Sequence, residues 1–269
     1  MKIGIISLGL IGGSLFKCLC RTEHEIYAMT RNEETIYKAK KYTDNVSNDI
    51  NILKDCDIVF VASPINKTLE VLDRLENIVK NDCIVLDCAS VKEFVMKKER
   101  PYKFIGSHPM AGTEFSGFDA AFRELFEGAK WVITPSNGIL ESDIDVIKSV
   151  IQRTGAQCVV ADAKAHDEAV ALISHMPLLV AQAIFKTAKD NELALKLASS
   201  GFRDMTRLST SNLEMATDMR MFNGENIHKA LEKLLQEIKF LEKTKDAEIF
   251  TDIKNIRSGM YSSEGKNIL

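Results

Sequence analysis

The sequence predicts an α/β fold in which a doubly wound parallel sheet precedes an all-helical domain. Two observations predict it. Through residue 161, short apolar runs alternate with amphipathic stretches, as in a parallel sheet covered by helices on both faces. Beyond that point the strand-like runs stop and helix-like stretches remain. We therefore predict two domains, 1–161 and 162–269.

The strand-like runs of the first domain are short and rich in β-branched residues. They lie at 2–6, 25–30, 57–62, 83–87, 104–107, 130–134 and 156–161. The helix-like stretches between them lie at 12–20, 33–41, 66–79, 91–98, 118–126 and 141–154. In such an alternation we expect the ligand outside the carboxyl ends of the strands.

The second domain is predicted to be helical. Residues 162–190 read as one long helix with a kink at Pro177, because proline removes a helical hydrogen bond. The chain is helical again beyond Asn212, where apolar residues recur in steps of four and three. This apolar seam consists of Ile227, Leu231, Leu234, Ile238 and Leu241. A helix with one apolar stripe needs a partner surface, so we expect two copies of the chain to pair here as a homodimer.

The composition excludes several classes of protein. The chain has 269 residues, a formal net charge of −3, and ordinary shares of hydrophobic (45%) and charged (27%) residues. These values indicate an ordered globular protein without a basic footprint for nucleic acid. The six cysteines lack zinc-like spacing, so we expect buried thiols and no metal site. No run reads as a targeting segment or a membrane span, so we expect a cytoplasmic protein that binds neither nucleic acid nor membranes.

A glycine-rich turn joins the first predicted strand to the first predicted helix, as in a Rossmann-type domain. In the GxGxxG pattern the second glycine lets the backbone approach a pyrophosphate, and the third allows close packing of helix on strand. Here these are Gly9 and Gly12, whereas Ser7 replaces the first glycine and should perturb the tight turn. The N-terminus of the following helix adds positive potential. The turn predicts a nicotinamide dinucleotide bound by Gly9, Leu10, Ile11 and Gly12.

The end of the second strand bears on which dinucleotide binds. NAD sites place an acidic residue there to accept hydrogen bonds from the ribose 2′-hydroxyl. This chain instead has Thr30 and Arg31, a hydroxyl and a guanidinium suited to a 2′-phosphate. The pair favours NADP and leaves NAD open. Ser63 and Pro64, which follow the third predicted strand, complete the predicted cofactor site.

Two histidines have neighbours that suggest a catalytic role. His108 follows a predicted strand, which places it at the carboxyl edge of the sheet. A histidine beside a nicotinamide can take the proton of a hydroxyl as hydride leaves the adjacent carbon. His175 lies early in the helical domain, in the run Ile-Ser-His-Met-Pro. The remaining histidines, His24, His166 and His228, are interpreted as structural.

Four separated runs closely resemble the prephenate and arogenate dehydrogenases. They are Ser-Val-Lys at 90–92, Ser-His-Pro-Met-Ala-Gly-Thr at 107–113, Ile-Ser-His-Met-Pro at 173–177 and Gly-Phe-Arg-Asp-Met-Thr-Arg at 201–207. Four runs in the right order are more specific than any one of them. The resemblance extends from the first strand through at least Met219.

The resemblance implies an oxidative decarboxylation in tyrosine biosynthesis. Prephenate would yield 4-hydroxyphenylpyruvate, and arogenate would yield tyrosine, with hydride passing to NADP or NAD. The resemblance further implies that His108 is the base at the C4 hydroxyl, that Ser90 orients that hydroxyl or His108, and that Arg207 binds a substrate carboxylate. His175 and Thr113 are implied to line the pocket.

The sequence leaves alternatives open. No residue decides between prephenate and arogenate. Lys92 is either a second cation for the substrate or a solvent-exposed residue, and Arg203 beside Arg207 is equally ambiguous. A β-hydroxyacid dehydrogenase or imine reductase would share the domain order, and a non-catalytic dinucleotide-sensing protein would share the glycine turn. Retention of both His108 and Arg207 argues against the sensor, which needs neither.

Overall fold

One sheet of eight strands forms the core of the first part of the chain. The computed structural model describes residues 1–113 and 115–262. Its strands are β1 (Lys2–Ile6), β2 (Glu25–Met29), β3 (Val46–Ser47), β4 (Ile58–Val61), β5 (Ile84–Asp87), β6 (Lys103–Pro109), β7 (Lys130–Pro135) and β8 (Gln157–Val160). Their order is β3-β2-β1-β4-β5-β6-β7-β8; the described pairs are parallel, apart from antiparallel β6 and β7. The predicted doubly wound sheet is confirmed, with two strands, β7 and β8, that run opposite to the other six, and with a short strand, β3, that the sequence did not predict.

Helices follow the strands and then continue without them. Those of the first part are α1 (Leu10–Leu19), α2 (Glu33–Ala39), α3 (Ile65–Leu75), α4 (Glu93–Met96) and α5 (Glu141–Gln152). Those of the second part are α6 (Ala163–Val170), α7 (Met176–Ala188), α8 (Glu192–Leu197), α9 (Ser200–Thr206), α10 (Leu213–Lys243) and α11 (Ala247–Ser262). The helical second part is confirmed, while its predicted division from the first at 161/162 stays a prediction.

The sheet is buried on both faces, which explains its continuous apolar strands. Along β4, Ile58 and Phe60 belong to one buried cluster, with Trp131 among its members. The alternate residues, Val59 and Val61, belong to the cluster on the other face. Because successive side chains of a strand point to opposite faces, a strand covered twice must be apolar throughout.

The helix predicted at 118–126 is wrong. Only its end is helical, as a 3-10 turn at Arg123–Phe126. The ammonium group of Lys17 on α1 accounts for the difference, because it donates to the carbonyl oxygens of Phe118 (3.0 Å) and Ala121 (2.7 Å). The amide of Phe122 likewise donates to the hydroxyl of Ser14 at 3.0 Å. Backbone groups that a helix would use internally are therefore bonded to α1.

The long helix predicted at 162–190 is observed over Ala163–Ala188, and its irregular turn lies just before Pro177 rather than at it. A π turn over Ala171–His175 separates α6 from α7, and Pro177 lies in the first turn of α7. The missing N–H of proline removes one helical hydrogen bond, and the irregular turn lies directly before it. Further on, α10 contains Asn223 with non-helical angles (φ −128°, ψ 22°).

The expectation that no stretch could span a membrane is wrong by length and composition. Ala163–Ala188 is long and apolar enough to do so. However, it carries the polar residues His166, Asp167 and His175, which are buried and bonded to other elements. Polar side chains bonded to other elements of the fold are unusual in a membrane span, so the stretch alone is weak support for a membrane segment.

The apolar seam of α10 is only partly covered within one chain. Ile227 is buried together with Ala171 and Ala230, but Ile238 is 50% exposed. Beyond Ile227 the seam is half-buried at Leu231, Leu234 and Leu241 and exposed at Ile238, so this part of the helix offers apolar surface to a partner.

Candidate active site

The turn between β1 and α1 accommodates serine at the first glycine position. Ser7 adopts a φ of 69°, in the left-handed region that favours glycine, and its amide donates to the carbonyl oxygen of Met29 at 2.9 Å. A Cβ at Gly12 would overlap the carbonyl oxygen of Ser7 and lie 2.9 Å from the Cβ of Ala62. The perturbation expected from Ser7 is therefore backbone strain at that residue, and Gly12 is the glycine that the packing requires.

The start of α1 forms an open cradle for an anion. Gly9 caps the helix without a side-chain hydrogen bond, and a Cβ there would meet nothing within 4 Å. Leu10 and Ile11 begin the helix, where backbone N–H groups have no partner inside the helix. Open space before such amides is what a pyrophosphate needs, so the residues present fit a dinucleotide.

The predicted cofactor residues outside this turn follow the strands on either side of β1. Thr30 follows β2 and is buried, whereas the next residue, Arg31, is exposed. Ser63 and Pro64 follow β4; the hydroxyl of Ser63 lies 3.4 Å from that of Thr68, and Pro64 caps α3. All four predicted residues thus lie at the carboxyl edge of the sheet.

A buried ion pair supports the strand that carries the candidate base. Lys92 and Asp87 are fully buried and paired. The ammonium group of Lys92 also donates to the carbonyl oxygen of Ser107 at 2.6 Å, and the amide of Ser107 donates to Asp87 at 2.9 Å. Both interpretations of Lys92 from the sequence are wrong. It is neither solvent-exposed nor free for a substrate, and instead ties the end of β5 to β6.

His108 lies inside β6, rather than beyond a strand end as predicted. The antiparallel pairing with β7 extends β6 to Pro109 and sets His108 opposite Val132. Burial lowers the pKa of His108 well below its usual value, and the neighbouring His166 and Lys92 lower it further. The ring is therefore neutral near pH 7 and able to accept a proton.

His166, which the sequence analysis interpreted as structural, contacts His108 directly. Its Nε2 lies 2.9 Å from Nδ1 of His108, and its Nδ1 lies 2.8 Å from the carboxylate of Asp167. The two oxygens of Asp167 also accept the amides of Lys92 and Glu93, at 2.7 and 2.8 Å. These contacts explain why α4 begins at Glu93 rather than at the predicted residue 91. They also add a His–His–Asp chain to the site.

Two buried polar atoms at this site have no hydrogen-bond partner among the residues that the structure describes. They are Oγ of Ser90, which follows β5, and Nε2 of His175, which ends the π turn. His175 is 1% exposed, and its other ring nitrogen lies 3.1 Å from the side-chain amide of Asn223. Because buried polar groups are normally hydrogen-bonded, both atoms point to a ligand that completes them.

We expect the buried His175 to destabilise the fold in acid. Burial lowers its pKa from 6.5 to about 4, so between these values the unfolded chain binds a proton that the folded chain does not. The contribution of neutral His175 to the free energy of unfolding is therefore fully present above about pH 6.5. It is lost as the pH falls to about 4, and the total loss is about 3 kcal/mol. Urea unfolding of wild type and His175→Asn at pH 7 and pH 5 measures this loss.

The exposed His228 provides the matched control for this measurement. His228→Asn should lose as much stability between pH 7 and pH 5 as wild type does, whereas His175→Asn should lose less. Equal losses in wild type and His175→Asn would contradict the assignment.

Arg207 and Thr113 lie apart from the contacts described so far. Arg207 begins a 3-10 turn after α9, is exposed, and pairs with no carboxylate among the described side chains. Its neighbour Arg203 pairs instead with Asp204, at 3.3 Å. The hydroxyl of Thr113 accepts the amide of Phe115 at 3.2 Å. No described contact joins Arg207 or Thr113 to His108.

The cysteines of this chain are unreactive thiols. All six cysteines are free thiols, two of them buried and four half-buried. Burial raises the pKa of Cys56 and Cys83 to about 12, which keeps them protonated. Over 1–113 and 115–262, no three His, Cys, Asp or Glu side chains are grouped as a metal site requires.

Comparisons with known proteins agree over nearly the whole chain. The family model of the prephenate dehydrogenase nucleotide-binding domain matches residues 17–160, and that of the prephenate dehydrogenase dimerization domain matches residues 162–253. A prephenate dehydrogenase of Lactococcus lactis is 30% identical over 98% of this chain and 78% of that protein. The crystal structure of Synechocystis arogenate dehydrogenase has a TM-score of 0.82 and 32% identity, with both chains fully covered. Prephenate dehydrogenase from A. aeolicus, in complex with hydroxyphenyl propionate and NAD+, has a TM-score of 0.85 and 27% identity over 98% of each chain.

Proposed function

The chain belongs to the prephenate dehydrogenase family, and on that premise we propose that it catalyses the oxidative decarboxylation of prephenate or arogenate in tyrosine biosynthesis. The observation that carries the proposal is His108 near the carboxyl end of β6, held through Nδ1 by His166, together with buried polar atoms of Ser90 and His175 that lack partners among the described residues. A β-hydroxyacid dehydrogenase, an imine reductase or a dinucleotide sensor would not account for the family match along both parts of the chain.

The substrate ring carries a hydroxyl group at C4 and a carboxylate opposite to it. The nicotinamide ring of the bound dinucleotide supplies the acceptor for the hydride that leaves C4. His108 accepts the proton of the C4 hydroxyl at its Nε2, because its Nδ1 is held by His166. Loss of CO2 then makes the ring aromatic and supplies the driving force, so the protein chiefly positions and polarises the substrate.

The two buried atoms without a described partner, Oγ of Ser90 and Nε2 of His175, suit the polar groups of this substrate. Ser90 follows β5, which pairs with the strand that carries His108. Its buried Oγ is assigned to the C4 hydroxyl or to the base. Nε2 of His175 is assigned to another substrate oxygen, and Thr113 is retained as a pocket residue. The assignments of Ser90 and His175 each satisfy a group whose burial without a partner is costly.

Arg207 is assigned to a substrate carboxylate, since a guanidinium can bind a carboxylate through two hydrogen bonds. We expect Arg207→Ala to raise KM for the substrate about tenfold or more, as for one lost charged hydrogen bond, with little change in kcat. Arg203→Ala is the matched control, because Arg203 is an exposed neighbour paired with Asp204. A fall in kcat at constant KM would contradict the assignment of Arg207.

The cofactor is NAD or NADP, and we propose that NADP is preferred. The support is the exposed Arg31 next to Thr30, with no acidic residue at the end of β2. We expect Arg31→Ala to weaken NADP binding about tenfold or more and to leave NAD binding nearly unchanged. Arg21→Ala, which removes another exposed arginine, is the control. Equal losses for the two dinucleotides, measured by calorimetric titration, would refute the preference.

We further propose that the chain is a cytoplasmic homodimer that pairs through its helical part and requires neither nucleic acid nor membranes. The open end of the apolar seam, including the half-exposed Ile238, supports the pairing. The division of the chain into 1–161 and 162–269 is proposed with it, since the last strand ends at Val160 and α6 begins at Ala163. Sedimentation at micromolar concentration tests the dimer.

Steady-state kinetics with each substrate tests the proposed function and its specificity. Prephenate and arogenate share the reacting ring and differ in the side chain, so kcat/KM for each, measured with each dinucleotide, ranks the four combinations. We expect turnover with at least one substrate. Absence of reduced dinucleotide in all four would refute the function.

A further inference from the structure

We propose that one hydrogen-bond network centred on Asp167 places the protons of His108 and His175 in opposite senses. In this network Nε2 of His108 is a bare acceptor, whereas Nε2 of His175 carries a proton and is a donor. The proposal rests on the proposed function for what the two nitrogens do to a substrate. The proton positions are argued from contacts within the chain, with His166 carrying a single proton.

The first branch of the network runs through the side chain of Asp167. Both of its oxygens accept backbone amides, those of Lys92 (2.7 Å) and Glu93 (2.8 Å), so the group acts as a carboxylate acceptor. The proton between Asp167 and Nδ1 of His166, 2.8 Å apart, therefore belongs to His166. In the proposed network His166 carries this single proton, so its Nε2 is a lone pair, and across the contact of 2.9 Å Nδ1 of His108 is the donor. The neutral ring of His108 has its single proton on Nδ1.

The second branch runs through the backbone carbonyl of Asp167. A carbonyl oxygen can only accept, so the side-chain nitrogen of Asn223, 2.8 Å away, is the donor. The side-chain Nδ2 of Asn226 donates to Oδ1 of Asn223 at 2.8 Å, which requires the same orientation of the Asn223 side-chain amide. The nitrogen of Asn223 also lies 3.1 Å from Nδ1 of His175. That ring nitrogen must accept, which places the proton of the neutral His175 on Nε2.

The two histidines consequently present different chemistry to the same ligand. Nε2 of His108 can take the proton of a substrate hydroxyl, and the O–H bond that breaks is replaced by an N–H bond on the imidazolium. The imidazolium keeps its Nδ1–H bond to His166. Nε2 of His175, buried without a partner among the described residues, can donate to an oxygen of the substrate. His166, Asp167 and Asn223 are positioning residues, because they act through the two histidines.

Nitrogen NMR of protein labelled with ¹⁵N-histidine tests the proposal without any turnover, because protonated and bare ring nitrogens have well-separated shifts. Single replacements of the five histidines assign the signals. We expect the wild-type protein to show a proton on Nδ1 of His108 and on Nε2 of His175. The opposite tautomer at either residue would overturn the corresponding branch. A protein with the expected tautomers that turns over neither substrate would uphold the network and refute the function.

Matched variants separate the two branches and exclude a purely structural role. His166→Leu removes the acceptor and should shift His108 toward its other tautomer, with kcat lower by at least about tenfold and KM changed less than about twofold. His166→Gln keeps an acceptor oxygen and should restore the tautomer and most of kcat. Asn223→Ala should alter the tautomer of His175 and leave His108 unchanged. Unchanged tautomer and kcat in His166→Leu would overturn the proposal.

Discussion

Replacement of His108 with asparagine should lower kcat at least about a hundredfold, the lower end of what general-base catalysis contributes. Asparagine can keep a hydrogen bond at this position but cannot accept a proton near pH 7. KM for the substrate should change little, because the other proposed substrate contacts, at Ser90, His175 and Arg207, remain. Stopped-flow measurement of reduced dinucleotide formation gives the rate of the chemical step directly.

Two controls make this prediction specific. His228→Asn changes an exposed histidine and should leave kcat unchanged. The thermal midpoint of His108→Asn should stay close to that of wild type, since the ion pair beneath β6, between Lys92 and Asp87, is untouched. A His108→Asn protein with near-normal kcat would remove the base from the proposed mechanism.

Replacement of Gly12 with alanine should damage the fold as well as the cofactor site. The added methyl group would overlap the carbonyl oxygen of Ser7 and crowd Ala62, and both belong to the elements that frame the turn. Overpacking a buried position costs about 1–3 kcal/mol, and overlap with backbone places this variant at or beyond the upper end. We expect a lower thermal midpoint and no detectable dinucleotide binding.

Gly9→Ala is the informative partner of this variant. A Cβ at Gly9 meets nothing within 4 Å in the protein, and the backbone there is extended (φ −82°), so folding should be unaffected. The methyl group would nevertheless occupy the space in which the pyrophosphate is proposed to lie. A normal thermal midpoint with weakened dinucleotide binding supports the assignment of the cradle. Normal dinucleotide binding by Gly9→Ala would contradict it.

The features that the sequence predicted well are those encoded by adjacent residues. The strand at 2–6 was predicted with its observed bounds, because a short apolar run ends there in a glycine-rich turn. The positions of Gly9 and Gly12 at the start of α1 followed from the same local pattern. The position of His108 was predicted only approximately, because β6 extends to Pro109 instead of ending at residue 107.

The features that the sequence did not predict depend on contacts between distant residues. His166 lies 58 positions from His108, and a His-Asp pair within α6 was the available signal for it. Nine residues of α-helix turn about two and a half times, which would set His166 and His175 on opposite faces. The π turn between them holds more residues per turn, and both side chains are buried. Hydrophobic periodicity does not encode this change of phase.

Lys92 shows the same limitation for charge. From the sequence, a lysine early in a helix is read as a solvent-exposed or ligand-binding cation. Its true environment is set by Asp87 and by the carbonyl oxygen of Ser107 on the neighbouring strand. A buried ion pair of this kind can be predicted only when the register of β5 and β6 is known.

The stoichiometry of the reaction tests the central claim most directly. Purified protein is mixed with prephenate or arogenate and with NADP or NAD, and reduced dinucleotide, CO2 and aromatic product are measured in the same sample. The account predicts equal amounts of all three from wild type, and almost none over the same time from His108→Asn. Reduced dinucleotide without CO2 and aromatic product, or no reaction with either substrate, would contradict it.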